Sequence, residues 1–174
     1  MSLSDLGGCL PVLFLLMAIV HGSLVSDRRG SVVLDAFLLW GCFLVALTEV
    51  LSPFSLLRSP VLYTAWGLGL AVLACVVVRR LRKHSSIPFR GGARAVVLRG
   101  DRVVVSAILG TTFFVALAAA PDTWDSMPYH MARVAHWAAH GSVRHYATNI
   151  TRQRYSSPFP EYAILHLAVL PAGE

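Results

Sequence analysis

Apolar residues occur along this chain in long blocks, and a single polar stretch is much longer than the segments that separate the other blocks. Four blocks have close to the roughly 20 residues that a helix needs to cross the hydrocarbon core of a bilayer. They cover residues 6–25, 32–51, 61–78 and 103–120, and a fifth block begins at Tyr162. The pattern predicts an all-α, polytopic membrane protein with four complete transmembrane helices and the start of a fifth.

The composition agrees with this class, since 56% of the 174 residues are apolar and only 14% are charged. We divide the chain into a transmembrane region (1–120), an extracytoplasmic loop (121–161) and the start of a truncated helix (162–174). A half-crossed segment would leave backbone groups unpaired in lipid. We therefore expect this sequence to be the N-terminal part of a longer protein.

The basic residues predict the orientation of the chain. Ten of the fifteen Lys and Arg follow the first and third apolar blocks, and five lie in the remaining polar stretches. Because short cytoplasmic loops are enriched in Lys and Arg, residues 79–102 are expected in the cytoplasm, with the N-terminus and residues 121–161 outside. The predicted location is the cell (inner) membrane, where basic residues also meet anionic lipid head groups. No nucleic-acid partner is needed to explain the net charge of +6.

The long loop begins with two acidic residues, Asp122 and Asp125, and continues into a predicted surface helix. Residues 126–140 suit a helix because Pro128 lies in its first turn and Gly141 follows its last turn. One stripe of this segment is apolar and another carries cationic and aromatic side chains. Such an amphipathic helix lies in the plane of a membrane interface, with its cationic stripe expected to face phosphate groups.

Several loop residues also have structural explanations. Asp125 or Ser126 suits the N-cap of the helix. His136 and His140 are spaced to share a metal ion, but no third ligand at helical spacing accompanies them, so no metal site is expected. The aromatic residues of the loop suit anchoring at the membrane interface or stacking on sugars; they are Tyr146, Tyr155, Phe159 and Tyr162.

Two carboxylates lie inside the second apolar block, Asp35 near its inner end and Glu49 near its outer end. Acids in a spanning helix are costly and usually face a bundle interior or an aqueous cavity. Asp35 suits pairing with an inner arginine. Glu49 is either a rim residue wetted by the interface or part of the wall of an outward-facing cavity beside the long loop.

Residues 121–167 resemble the first large extracytoplasmic loop of membrane glycosyltransferases of the C superfamily (GT-C), in particular bacterial, family-39-like relatives of the protein mannosyltransferase and aminoarabinose transferase group. The resemblance rests on WDSMPYH at 124–130, after an apolar block, and on PFPEY at 158–162, before another. The chain departs from that pattern where Ser126 replaces a second acid and where Ser156 and Ser157 replace a basic residue. Four predicted spans also precede the loop instead of one.

The resemblance implies transfer of a sugar from a polyprenyl-phosphate donor to an extracytoplasmic glycan, lipid or protein acceptor. Such chemistry needs a carboxylate that takes the acceptor proton, a role that falls to Asp125, with Asp122 in reserve. The donor phosphate needs cationic partners. The residues expected to bind substrate are His130, Arg133, Arg152, Arg154, Glu49 and Tyr155. No cofactor is assigned, and because metal use differs among such enzymes a divalent metal stays open.

Two other functional classes compete with the transferase. In a transporter or flippase fragment, Asp35 and Glu49 would carry protons or bind substrate. A non-catalytic membrane subunit, or a degenerate remnant of a transferase, would explain the abrupt end after Glu174. Because enzymes of this type also use later spans, the parent protein is expected to be the enzyme, and this piece alone to be inactive.

Overall fold

The computed structural model describes residues 8–25, 32–83, 107–108, 110–112, 114–115 and 126–172, and the regular elements within these ranges are helical. Three long helices come first: α1 (Leu10–Val25), α2 (Val32–Leu51) and α3 (Ser59–Lys83). A π-helix (Ser126–Met131) then leads directly into α4 (Ala132–His140). The short α5 (Arg152–Tyr155) and the apolar α6 (Phe159–Ala172) complete the described part.

The turn between α2 and α3 is tight and locally encoded. A 3-10 helix (Ser52–Phe54) with Pro53 ends α2, and Ser55 adopts a left-handed conformation at φ 55°. Pro60 is the second residue of α3, within the first turn, where its missing N–H group has no intrahelical partner to lose. At the other end of α3, Arg80, Arg82 and Lys83 lie in the last turn, where cations interact favourably with the helix dipole.

The prediction of four complete spans and the start of a fifth is wrong. Within the described residues, only Val32–Phe54, with 23 residues, and Ser59–Lys83, with 25, are long and apolar enough to cross a membrane. The first block forms a helix of 16 residues, and most of the fourth block lies outside the described residues. The fifth block forms a helix of 14 residues, well below the roughly 20 that a span requires.

The error has a physical cause in α6. Its apolar residues Tyr162, Leu165, Val169 and Leu170 are buried against protein, whereas the sequence pattern reports only that they are apolar. Buried polar residues also lie on this helix, with Glu161 and His166 both 0% exposed. An apolar block of about 10 to 14 residues is more often a buried core helix than a span. The length and the polar residues of α6 together fit that alternative.

A buried histidine joins α6 to α2 and α3. The Trp66 indole N–H donates to His166 Nδ1 at 3.0 Å, and His166 Nε2 lies 3.0 Å from Thr48 Oγ1. Thr48 itself donates to the Leu44 carbonyl. Because Nδ1 accepts a hydrogen bond, the imidazole is neutral with its proton on Nε2. Three helices are therefore linked by one satisfied polar chain inside an apolar bundle.

Gly141 docks α4 onto the α2–α3 turn. It ends α4 in a left-handed conformation at φ 62°, and a Cβ at this position would lie 2.7 Å from the Ser55 carbonyl oxygen. Its own carbonyl accepts a hydrogen bond from Leu57 N–H, and Ser142 Oγ lies 3.1 Å from Ser52 Oγ. Both the backbone angle and the close approach require glycine here.

Candidate functional site

A buried arginine organises the segment between the π-helix and α6. Arg133 is 1% exposed, and it donates from Nη1 to Glu161 Oε1 at 3.1 Å. Its Nη2 donates to the Arg152 carbonyl and to Ser156 Oγ, each at 3.1 Å. The guanidinium also lies 5.3 Å from the ring centroids of Tyr129 and Trp137, a distance at which cations are attracted to aromatic faces.

Glu161 is the buried anion that balances this arginine. Its side chain is 0% exposed, and Oε1 receives both Arg133 and His130 Nδ1, the latter at 2.9 Å. A buried charge is tolerated when it is paired and hydrogen-bonded. Glu161 therefore ties the start of α6 to the π-helix and to α4 through a single carboxylate oxygen.

Ser156 completes the arrangement, and we call His130, Arg133, Ser156 and Glu161 the polar cluster. The Ser156 hydroxyl accepts from Arg133 Nη2 and from the Tyr129 hydroxyl, and donates to the Arg152 carbonyl at 2.8 Å. Ser156 stands where the resemblance would place a basic residue, and its hydroxyl contacts the buried cation of Arg133.

A cleft of about 300 Å³ opens beside the polar cluster. Arg133, Arg144 and His145 contribute to its lining, together with the aromatic side chains Trp137, Tyr146 and Tyr162, and no Asp or Glu lines it among the described residues. We call this the cationic cleft. A concave site with apolar walls and a few polar groups is the usual form of a small-ligand site. Its charge favours an anionic ligand.

The cationic cleft lies close to the end of the two membrane-length helices. Arg144 donates to the Pro53 carbonyl at 2.5 Å, and Tyr162, which also lines the cleft, donates from its hydroxyl to Glu49 Oε1 at 2.5 Å. Burial, followed by the contact with Glu49, raises the pKa of Tyr162 above its usual range. Glu49, near the C-terminal end of α2, thus lies one side chain away from the cleft.

The remaining predicted site residues are distributed unevenly. Asp122 and Asp125, the predicted bases, lie outside the described residues. Arg152 is exposed, and its carbonyl accepts a hydrogen bond from Arg133. Arg154 and Tyr155 belong to α5, and their side chains are outside the described part. His130 and Arg133 are brought together on Glu161, and Glu49 joins the cleft through Tyr162.

The orientation of α4 differs from the expected surface helix. Arg133, Val134 and Trp137 are its buried residues, so the stripe carrying the arginine faces protein and not lipid head groups. His136, which is only partly buried, stacks between His140 and Tyr146, with ring centroids 4.1 Å and 3.7 Å apart. Partial desolvation, with a smaller effect of His140, lowers the pKa of His136. Burial also raises the pKa of Tyr146.

Two residues of the polar cluster, Ser156 and Glu161, were given no role from sequence, and Tyr162 was considered only for anchoring or for stacking on sugars. Glu161 belongs to the PFPEY stretch, and its approach to an arginine 28 positions earlier has no local signal. The presence of an acid between two apolar residues was the single available indication. Across the ranges that the structure covers, no group of three His, Cys, Asp or Glu residues is placed to hold a metal ion.

Comparisons of the chain with protein-family models, with curated proteins and with solved structures found no match.

Proposed function

We propose that this chain forms the membrane-proximal part of a glycosyltransferase that moves a sugar from a polyprenyl-phosphate donor to an extracytoplasmic acceptor. The observation that carries the proposal is the cationic cleft beside the end of two membrane-length helices. A lipid-linked sugar phosphate has an anionic head group and an apolar tail. A cleft with arginines, next to helices whose outer surfaces are apolar, offers partners to both parts.

The proposed topology follows from the ends of α3. Its last turn carries Arg80, Arg82 and Lys83, and such clusters favour the cytoplasmic side. The α2–α3 turn at the other end of α3 would then face outward, together with the cationic cleft docked on it through Gly141. We propose a multi-pass location in the cell membrane on this basis, anchored by α2 and α3.

The chemistry requires stabilisation of a leaving phosphate and aromatic surfaces for a sugar. Arg144 is exposed on the cleft rim, where a charge-assisted hydrogen bond to phosphate would be available. Tyr146 and Tyr162 line the same cleft and offer ring surfaces to the sugar. The resemblance gives the role of base to Asp125, with Asp122 in reserve.

The test uses the full-length protein reconstituted into phospholipid vesicles together with membranes as a source of acceptor. Polyprenyl phosphates bearing radiolabelled hexoses serve as donors, and both the binding and the consumption of each donor are measured. We expect Arg144→Gln to reduce donor binding by about tenfold, the equivalent of roughly 1.4 kcal/mol. Arg58→Gln is the matched control, because Arg58 is also an exposed arginine at the α2–α3 turn but does not line the cleft. Equal effects of the two changes would contradict the proposal.

A further inference from the structure

The arrangement around Glu161 has the form of a carboxylate and histidine pair. Glu161 is completely buried, whereas the His130 side chain is 37% exposed, and the two are joined by His130 Nδ1 at 2.9 Å. A carboxylate that accepts from one ring nitrogen fixes the tautomer of the imidazole and leaves the other nitrogen as a proton acceptor. In neutral His130 the proton therefore lies on Nδ1, and Nε2 carries the lone pair.

The rest of the polar cluster supports this assignment. Arg133 shares Oε1 with His130, and a carboxylate oxygen approached by an arginine N–H donor is an acceptor toward the imidazole as well. On the same element the Tyr129 ring lies 4.0 Å from the His130 ring, and its hydroxyl is engaged by Ser156. Among the described residues, the charged side chains next to His130 are Arg133 on α4 and Glu161 on α6. None of these contacts occupies Nε2.

His130 is also close to the proposed substrate. His130 Nδ1 and Arg133 Nη1 lie 2.9 Å and 3.1 Å from the same oxygen atom, so these two nitrogens are at most 6.0 Å apart. Arg133 lines the cationic cleft. His130 is partly exposed beside this buried guanidinium, which places it near a group bound in the cleft.

We infer that His130, oriented by Glu161, is the proton acceptor of the sugar transfer, in place of the carboxylate that the sequence favours. The inference rests on the proposed function. As the acceptor oxygen forms its bond to the anomeric carbon, its proton passes to His130 Nε2. The bond between that carbon and the phosphate oxygen breaks with its electron pair, and polyprenyl phosphate leaves. Glu161 is a positioning residue, since it acts through the imidazole.

The closing experiment combines a structural and a catalytic measurement. Nitrogen-15 NMR of the reconstituted chain is expected to show His130 with its proton on Nδ1, a tautomer that free histidine does not favour. In the donor-consumption assay, His130→Gln is expected to lower turnover by 10² to 10⁴-fold, which is the usual contribution of a general base. His136→Gln is the matched control, as another partly exposed histidine of the same segment.

Chemical rescue separates catalysis from structure. Added imidazole is expected to restore turnover to His130→Gly but not to Arg144→Gln, and methylimidazoles of higher pKa should restore more. A proton on Nε2 in the native chain, or an active His130→Gln variant, would overturn the inference and leave the transferase proposal intact. Loss of turnover in Asp125→Asn together with failed rescue of His130→Gly would return the role of base to Asp125. A full-length protein that neither binds nor consumes any donor refutes the proposed function itself, and the catalytic role of His130 with it.

Discussion

The α1–α3 bundle and the segment from the π-helix to α6 are stabilised by different kinds of contact. In the bundle, Phe14, Phe43 and Trp66 pack their rings against one another at centroid distances of 4.7 to 5.5 Å. In the later segment, a buried ion pair and a hydroxyl at Ser156 connect three helical elements. Apolar contacts tolerate changes in partner, whereas a buried charge does not. We therefore expect substitutions in the later segment to destabilise the fold more than substitutions in the bundle.

The outer surfaces of the two regions differ as well. Along α2 and α3, large apolar residues such as Leu34, Leu68 and Val72 are more than 60% exposed, as expected for helices that face lipid. In α4 the exposed side carries His140, and the arginine is turned inward. The two regions thus differ in where their polar groups lie: the bundle exposes apolar side chains, and the later segment buries charged ones.

The largest effect is expected from removing the buried cation. Arg133→Met leaves Glu161 uncompensated in a buried position, which costs about 3 to 5 kcal/mol of stability. The double change Arg133→Met with Glu161→Met should recover most of this loss, because neither charge is then buried alone. Thermal unfolding in detergent micelles provides the measurement. A single variant as stable as the native chain would contradict the proposed importance of the ion pair.

A charge on the exposed face of α3 tests whether the α1–α3 bundle faces lipid. Leu68 is 68% exposed, and a lysine near the middle of a spanning helix costs roughly 3 kcal/mol of insertion free energy. Leu68→Lys should reduce the fraction of chain that resists alkaline extraction from membranes, while Leu68→Ala should not. If the lysine variant stays in the membrane fraction or folds better in water, α3 does not face lipid.

An effect of intermediate size is expected from breaking the His166 contact, which joins α6 to α2 and α3. His166→Leu leaves the Trp66 indole N–H without its acceptor, and an unsatisfied buried donor costs about 1 to 3 kcal/mol. Thr64→Ala is the control, because Thr64 is exposed and donates only to carbonyls of its own helix. The free energy of unfolding of both variants can be compared in denaturant. Equal destabilisation would mean that the His166 chain contributes little.

The smallest effect concerns the exposed stack on α4. His140→Gln removes the cationic neighbour of His136, so the pKa of His136 should rise toward its ordinary value while the larger desolvation effect persists. Because the folded-state pKa is depressed, stability falls as pH drops below the unfolded value near 6.5. The variant should lose less stability on acidification. NMR titration checks the pKa, and an unchanged value would exclude the contribution of His140.

The sequence predicted some residues of the candidate site but not the residues with which they pair. His130 and Arg133 stood out because they lie on the cationic and aromatic stripe of a predicted amphipathic helix, and Glu49 stood out as an acid in a predicted span. Their partners could not be deduced, since Glu161 meets Arg133 across 28 residues and Tyr162 meets Glu49 across 113. Periodicity along the chain carries no information about such distant pairs.

Local chemistry by itself determined the helical class, the end of α4 at Gly141 and the two longest apolar helices, because propensity, turn residues and apolar length act over a few positions. Tertiary structure alone decided whether an apolar helix faces lipid or protein. In α6 the same residues that would suit a bilayer pack against α2 and α3, and the buried Glu161 and His166 are hydrogen-bonded there by partners from other helices. Burial depends on what surrounds a side chain, and the surroundings come from distant parts of the chain.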